Sequence, residues 1–97
     1  MRFKHFIFND RVITDSNEQI RILEDNNFHW LVDSEVESCK IEIKNMTLIW
    51  HEGIFYSGHW HYGIFKSGNF YGVFENGIFE GGEFHGKFIS GVNLVEV

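Results

Sequence analysis

Histidine is the residue type with the most evident chemical potential in this chain of 97 residues. Four of its six histidines, His51, His59, His61 and His85, lie in the second half of the sequence. His59 and His61 flank Trp60, so in a strand both imidazoles point away from the face that carries the ring. We therefore take His59, His61 and His85 as candidate binding residues.

A metal site is one interpretation of this pattern. Alignment of the segment at Trp50 with the segment at Trp60 places His51 beside His61, and the next segment places Glu75 in the same column. Strands of a sheet lie about 4.8 Å apart, so two imidazoles and a carboxylate of one column come close enough to bind zinc. Against this, polar residues commonly fill a solvated face, and the sequence has no HExxH or paired CxxC motif. We expect no metal and no cofactor. The weak candidates for metal ligands are His51, His61 and Glu75.

Covalent catalysis has no recognisable machinery in the sequence. The nucleophile motif GxSxG is missing, and the glycines lack the lysine that accompanies them in a phosphate-binding loop. Carboxylate pairs such as Glu35 with Glu37 arise by chance among 14 acidic residues. Cys39 shares a strand face with Ile41 and Ile43, as a small core residue does. We expect no enzymatic activity and assign no catalytic residue.

The composition predicts a single domain that covers residues 1–97. Apolar residues make up 43% of the chain and aromatic residues 18%, which is enough to build a core without disulfides or metal ions. The single cysteine cannot form an internal bridge, and no basic segment is followed by the apolar segment of a secretion signal. No apolar run approaches the roughly 20 residues that a membrane helix needs. We expect a cytoplasmic protein without a membrane partner.

The net charge of −6 constrains the kind of partner. It results from 14 acidic and 8 basic residues and divides evenly, about −3 on each side of Trp50. Nucleic acids and anionic lipid surfaces both attract clustered lysine and arginine, which the chain lacks. We expect no nucleic acid partner, and we expect instead another protein with a basic surface.

All ten glycines lie between Gly53 and Gly91, where an aromatic residue follows a glycine by two positions in unit after unit. Successive aromatics are separated by five, five and four residues, which gives a period of 14. Three rows of this length, 56–69, 70–83 and 84–97, align without a gap, and residues 50–55 form a partial repeat before them. The fixed positions of the rows are Gly58, Trp60, Gly63, Gly72, Phe74, Gly77, Gly86, Phe88 and Gly91.

This spacing resembles the MORN repeat, in which an aromatic, a glycine two positions on, a second aromatic and a further glycine recur with the same period. Residues 56–63, 70–77 and 84–91 fit the pattern at each fixed position. The resemblance implies a role in protein association, dimerisation or, in some members, phospholipid contact. The chain departs from the family in a second Gly-x-Phe unit inside the repeat and in a degenerate end at residues 93–97. Five-residue steps also suit a pentapeptide-repeat solenoid, and the four-residue steps count against that alternative.

Alternation along a strand gives a physical interpretation of the rows. Phe70, Gly72 and Phe74 share one face, as Tyr56 and its neighbours do in the row before. Stacked rows therefore form columns of rings, and the missing Cβ of glycine leaves room for them. The Asn-Gly pair at 76–77 favours the tight turn of a hairpin. We predict an all-β fold in which each repeat is a hairpin and at least three hairpins stack into one sheet.

The N-terminal half, residues 1–49, is interpreted as a β-rich cap on the repeats of residues 50–97. Apolar residues on either side of Asn9-Asp10 predict a hairpin. Further strands are predicted at residues 19–23, 28–32, 38–43 and 46–50. A short helix over 17–24 is the alternative to the first of these strands, because residues 16–19 have the spacing of a capping box.

Exposed aromatic and apolar residues indicate the binding surface. Tyr62 and Tyr71 fall outside the ring columns, and tyrosine is enriched at protein interfaces. Ile54, Ile64 and Ile78 alternate with the rings; we expect the N-terminal half to cover them, and otherwise they bind a partner or a second copy of the chain, as in a homodimer. The sequence thus predicts a non-enzymatic module for protein–protein interaction or scaffolding. The alternative is a small acidic inhibitor or antitoxin-like protein that blocks a basic site of a target enzyme, and phospholipid or metal binding comes after both.

Overall fold

The computed structural model describes residues 2–95. The first half contains β1 (Phe3–Phe8), β2 (Arg11–Val12), α1 (Ser16–Asp25), α2 (His29–Val32), β3 (Glu35–Lys44) and the long strand β4 (Thr47–Ser57). Eight strands of two residues follow: β5 (His59–Trp60), β6 (Ile64–Phe65), β7 (Asn69–Phe70), β8 (Val73–Phe74), β9 (Ile78–Phe79), β10 (Glu83–Phe84), β11 (Lys87–Phe88) and β12 (Val92–Asn93). The all-β stacked-repeat fold with a β-rich N-terminal part and a short helix is confirmed. Neither of the two helices in residues 2–95 has the length and apolar composition of a membrane-spanning helix.

The predicted hairpin at the start of the chain is formed by β1 and β2, in which Ile7 pairs with Val12. Asn9 and Asp10 between the strands both have positive φ angles, as a two-residue primed turn requires. β1 also pairs in parallel with β3, which requires a crossover connection. The two helices form that crossover.

The segment predicted as a strand at residues 19–23 is helical, so the alternative of a short helix is correct. The carboxylate of Asp15 accepts a hydrogen bond from the Glu18 amide at 2.9 Å and caps the first turn of α1. Leu23 on its inner face is fully buried. Capping and burial at helical spacing outweigh the strand-like alternation of this short segment.

The strand predicted at residues 28–32 is also wrong, because this segment is the short helix α2, whose Leu31 lies in the core. The strand predicted at 38–43 is confirmed as part of β3, and the strand predicted at 46–50 is confirmed as the start of β4, except that Met46 lies in the preceding turn. The inward face of β3 carries the predicted buried residues Cys39, Ile41 and Ile43.

From β4 onward the chain winds into a solenoid with three sides per coil. One side stacks β5, β8 and β11; the second stacks β6, β9 and β12 against the first part of β4; the third stacks β7 and β10 against its second part. These pairings are parallel, and Ile78 of one coil pairs with Ile64 before it and Val92 after it, at the predicted spacing of 14 residues. The Ile78 amide donates to the Gly63 carbonyl oxygen of the preceding coil at 2.9 Å.

The hairpins predicted within each repeat are wrong, because the strands from β5 to β12 pair with strands one coil away instead of antiparallel to their neighbours in sequence. A type I′ turn needs positive φ angles at two central residues. Of the pair Asn76-Gly77, only Gly77 has one, at +118°. The chain therefore turns a corner at Gly77 and continues around the coil.

The interior of the solenoid is filled by three columns of stacked aromatic rings. Trp60, Phe74 and Phe88 form the column that the period predicts, with ring centroids 5.9 and 5.3 Å apart. The other columns are Trp50, Phe65 and Phe79, and Phe55, Phe70 and Phe84. Rings of different columns meet edge-on, an arrangement that aromatic quadrupoles favour. Together with the buried residues of the N-terminal half, these rings form one core.

The first coil is one residue longer than the row alignment predicts. Phe55 pairs with Phe70 and occupies the ring column that the alignment assigns to Tyr56. Tyr56 is instead 48% exposed. Ser57 is the extra residue, since Gly72 directly follows the equivalent tyrosine in the next coil.

Candidate functional site

The residue after each buried ring points outward, so these residues form columns on the outer surface of the solenoid. One column consists of Tyr56, Tyr71 and His85, and we call it the tyrosine ladder. The rings of Tyr56 and Tyr71 are stacked with centroids 6.3 Å apart, and those of Tyr71 and His85 with centroids 4.9 Å apart. Tyr56 and Tyr71 are about half exposed, and His85 is exposed. The predicted binding residues Tyr71 and His85 therefore lie together on one open surface.

Two carboxylates border the tyrosine ladder. Glu83 lies at one end, with a carboxylate oxygen 3.8 Å from His85 Nε2. Glu35 lies at the other end, because it pairs across β3 and β4 with Ser57, the residue after Tyr56. Both carboxylates are exposed. The ladder is thus an aromatic surface with negative charge at each end.

The other candidate histidines lie on a different side of the solenoid, around Glu75. His59 Nδ1 is 2.8 Å from a Glu75 carboxylate oxygen, and His61 Nε2 is 3.5 Å from the same atom. The His61 ring also stacks on Trp30 of α2, with centroids 5.7 Å apart and planes 10° apart. His61 therefore helps to join α2 to the first coil.

Tyr62 makes a similar connection. Its hydroxyl donates to the Asn27 carbonyl oxygen at 3.3 Å, and its ring lies 5.4 Å from that of Phe28. Burial raises the pKa of this hydroxyl. Tyr62 thus packs against the loop between the two helices and is not part of the tyrosine ladder.

The structure does not bring the candidate metal trio together. β4 pairs with β6 and not with β5, so His51 is not the neighbour of His61 in a column. His51 Nε2 lies instead 3.1 Å from a carboxylate oxygen of Glu42. Across residues 2–95, no group of three or more His, Cys, Asp or Glu side chains is placed to hold a metal ion. The hypothesis of a site formed by His51, His61 and Glu75 is therefore wrong.

A shallow cleft separates α2 from the first coil, and it contains the hydroxyl of Ser34. Its lining residues are Trp30, Asp33, Ser34, Gly58, His59 and His61. The Ser34 hydroxyl donates to the Trp30 carbonyl oxygen at 2.7 Å, and a Cβ at Gly58 would overlap this side chain. The hydroxyl is therefore engaged in holding α2 against the coil, and the ionisable groups that line the cleft are the imidazoles of His59 and His61 and the carboxylate of Asp33.

Cys39 is fully buried, and its thiol donates to the Arg2 carbonyl oxygen at 3.1 Å. Burial raises the pKa of this thiol to about 12. A thiol in the unfolded chain has a pKa of about 8.5, so folding favours the protonated form. The stability that Cys39 contributes is present in full below about pH 8.5 and is lost as the pH rises toward the folded-state pKa.

We expect the Cys39 thiol to lower the free energy of unfolding by about 1.4 kcal/mol for each pH unit above about pH 9. Cys39→Ala retains the other titrating groups, so the difference in slope between the variant and the wild type isolates the thiol. Urea denaturation at pH values from about 8 to about 10 gives both slopes. Equal slopes would show that folding leaves the titration of Cys39 unchanged.

The isoleucines that alternate with the rings lie on two different sides of the solenoid. Ile54 pairs with Asn69 in a column that continues to a glutamate, whereas Ile64 and Ile78 pair with each other on the second side. β3, β1 and β2 extend the sheet of that second side laterally and do not lie over it. Ile78 remains 37% exposed. For Ile64 and Ile78, the expectation that the N-terminal half covers them is therefore wrong.

Three residues of the candidate binding surface, Tyr56, Glu35 and Glu83, are not identified as binding residues by the sequence. The Phe-Tyr dipeptide at 55–56 recurs at 70–71, which aligns the two tyrosines once one extra residue is allowed in the first coil. No such signal exists for Glu35, because its position depends on the pairing of β3 with β4.

No protein-family model, curated protein or solved structure matches this chain.

Proposed function

We propose that this chain is a non-enzymatic protein-binding module that uses the tyrosine ladder to bind a basic surface of another protein. The observation that carries the proposal is the exposed stack of Tyr56, Tyr71 and His85. Burial of such rings against a partner removes apolar surface from water. Stacking also fixes the rings before binding, which reduces the conformational entropy that is lost on association.

Charge favours a basic partner for this surface. Glu35 and Glu83 border the tyrosine ladder, and the whole chain carries a net charge of −6. A guanidinium or ammonium group over a tyrosine ring gains about 0.5–1 kcal/mol at an exposed site. Carboxylates beside the ring add charge-assisted hydrogen bonds to the same cation. These contacts suit a partner segment that carries arginine or lysine.

The period of the coils also supports a relationship to the MORN repeat, and we include that membership in the proposal. It agrees with a role in protein association.

An acidic inhibitor is the second candidate function, favoured by the net charge of −6 on a chain of this size. The two functions use the same surface and differ in consequence: an inhibitor abolishes the activity of its target at one-to-one stoichiometry and with salt-sensitive affinity.

A peptide of alternating arginine and serine is a defined probe of the tyrosine ladder. We expect the double variant Tyr56→Ala/Tyr71→Ala to bind this peptide about tenfold more weakly than the wild type, because two cation–π contacts are lost. The net charge of the variant is unchanged, so general attraction between an acidic protein and a basic peptide is retained. Isothermal titration calorimetry at low and moderate salt measures both affinities.

Two single variants provide matched controls for charge. Glu83→Gln and Glu80→Gln each remove one carboxylate, but Glu80 pairs with Lys66 on another side of the solenoid. Only Glu83→Gln should weaken the binding of the peptide. If the double tyrosine variant binds as tightly as the wild type, the peptide responds to net charge alone and the proposal is wrong. Affinity purification with the wild type and the double variant then identifies the native partner as the protein that the variant fails to retain.

A further inference from the structure

The second side of the solenoid carries a row of apolar residues on its outer surface. Ile49, Ile64, Ile78 and Val92 lie in register on the four adjacent strands β4, β6, β9 and β12. Exposure rises along the row, because Ile49 and Ile64 are half-buried, Ile78 is 37% exposed and Val92 is 50% exposed. The row is therefore a ladder of branched apolar side chains on an uncovered face of the sheet.

A charged pair runs beside this row. Lys66 and Glu80 each lie two positions after an isoleucine of the row, on the same outer face, and the Lys66 ammonium lies 3.6 Å from a Glu80 carboxylate oxygen. Both side chains are more than 40% exposed. We call the surface formed by the four apolar residues and this pair the isoleucine face.

We propose that the isoleucine face packs against the same face of a second copy of this chain. The two-fold axis of the dimer runs parallel to the strands and lies between β6 and β9. Rotation about this axis places Ile64 opposite the partner's Ile78 and places Ile49 opposite the partner's Val92. The apolar row is thus covered along its whole length by an equivalent row, as an isologous interface requires.

The charges select this register over its neighbours. With the axis between β6 and β9, Lys66 lies opposite the partner's Glu80, and the symmetry of the dimer provides the same contact twice. An axis along β6 would place Lys66 opposite the partner's Lys66, and an axis along β9 would place two Glu80 side chains together. Like charges directly opposite one another are destabilising, so both alternatives are disfavoured.

The contact is small, since it involves three two-residue strands and the first part of β4 in each copy. Interfaces that bury less than about 1,200 Å² in total are typically weak and transient. We therefore expect a dimer that forms with rising protein concentration. This inference concerns a different side of the solenoid from the tyrosine ladder and does not depend on the proposed function.

Charge reversal in two separate chains tests the register. Lys66→Glu places a glutamate opposite the partner's Glu80, and Glu80→Lys places a lysine opposite the partner's Lys66, so each variant alone should dimerise about tenfold more weakly than the wild type. An equimolar mixture of the two variants restores opposite charges at both contacts. We expect the mixture to form heterodimers about as readily as the wild type forms homodimers. Analytical ultracentrifugation over a range of concentrations measures each association.

Recovery in the mixture cannot result from improved folding, because the internal pair of Lys66 with Glu80 is lost in both variants. Ile78→Asn should weaken the association of every combination, whereas Tyr56→Ala/Tyr71→Ala should dimerise as the wild type does. A wild-type chain that remains monomeric at high concentration would overturn the proposal. A mixture that associates no better than its separate components would also overturn it.

Discussion

Replacement of Trp60 by alanine is expected to lower the free energy of unfolding by about 3–5 kcal/mol, the range for large aromatic residues in a core. Trp60 is completely buried at the point where the first coil meets the N-terminal half. Its ring stacks on Phe74 with centroids 5.9 Å apart and meets Trp30 of α2 edge-on at 5.1 Å. The remaining rings within contact of Trp60 are Trp50, Phe55, Phe65 and Phe70. Alanine would leave a cavity bounded by all three ring columns, which cannot collapse without moving the coils.

Trp60→Phe is the matched control, because phenylalanine occupies the same column at Phe74 and Phe88. Trp60 Nε1 is buried and has no hydrogen-bond partner among the described residues, so phenylalanine removes an unsatisfied donor together with part of the ring. We expect this variant to lose less than about 1.5 kcal/mol. Urea denaturation followed by circular dichroism measures all three proteins. A loss below about 1 kcal/mol for Trp60→Ala would show that the columns do not stabilise the fold.

The periodicity of the sequence predicts which rings stack but not how the backbone pairs. Trp60, Phe74 and Phe88 are separated by 14 residues, and any repeat that places equivalent residues in register brings them together. Hairpins and coils both place alternate residues on one face, so alternation cannot distinguish them. The difference lies in the backbone of the corners, where one positive φ angle turns the chain and two adjacent ones reverse it.

Local signals explain the errors in the N-terminal half. The N-cap of α1 is Asp15, one residue before the predicted capping box, and the ten residues of the helix have a short apolar pattern that is compatible with a strand. The hairpin of β1 and β2 is predictable because the Asn-Asp pair between two apolar runs determines it locally. β1 pairs in parallel with β3, and both helices lie between them in the chain. No local sequence pattern predicts a pairing between such distant segments.

The candidate site is predicted in part, for reasons that follow from the coils. Tyr71 and His85 lie outside the ring columns in any alignment, so their exposure can be inferred from spacing. Tyr56 is missed because one extra residue in the first coil exchanges its position with that of Phe55. The metal hypothesis is incorrect for a different reason, because it aligns the segment at Trp50 with the segment at Trp60, whereas Trp50 pairs with Phe65. Errors of one residue thus move a side chain between the core and the surface, as in any β structure.

Glycine at position 77 is expected to be as sensitive to substitution as the buried rings. Its φ angle of +118° lies in a region that residues with a Cβ rarely adopt, and an added Cβ would overlap the Gly63 carbonyl oxygen of the preceding coil. That oxygen accepts the Ile78 amide at 2.9 Å, so it cannot move away without breaking a hydrogen bond between coils. Backbone strain of about 1–3 kcal/mol and overpacking of similar size add together. We therefore expect Gly77→Ala to lower the free energy of unfolding by about 3 kcal/mol or more.

Gly81→Ala provides the matched comparison within the same coil. The φ angle of Gly81 lies outside the left-handed region, and an added Cβ would overlap the Lys66 carbonyl oxygen at 2.7 Å and otherwise meet only the carbon of that carbonyl group, at 3.9 Å. The substitution therefore lacks the backbone strain, and we expect it to lower the free energy of unfolding by about 1–2 kcal/mol. Urea denaturation of both variants measures the difference. If both variants lose the same free energy of unfolding, close packing of the coils is the only reason for glycine at these positions. If Gly77→Ala loses more, the difference is due to the positive φ angle at the corner that Gly77 forms.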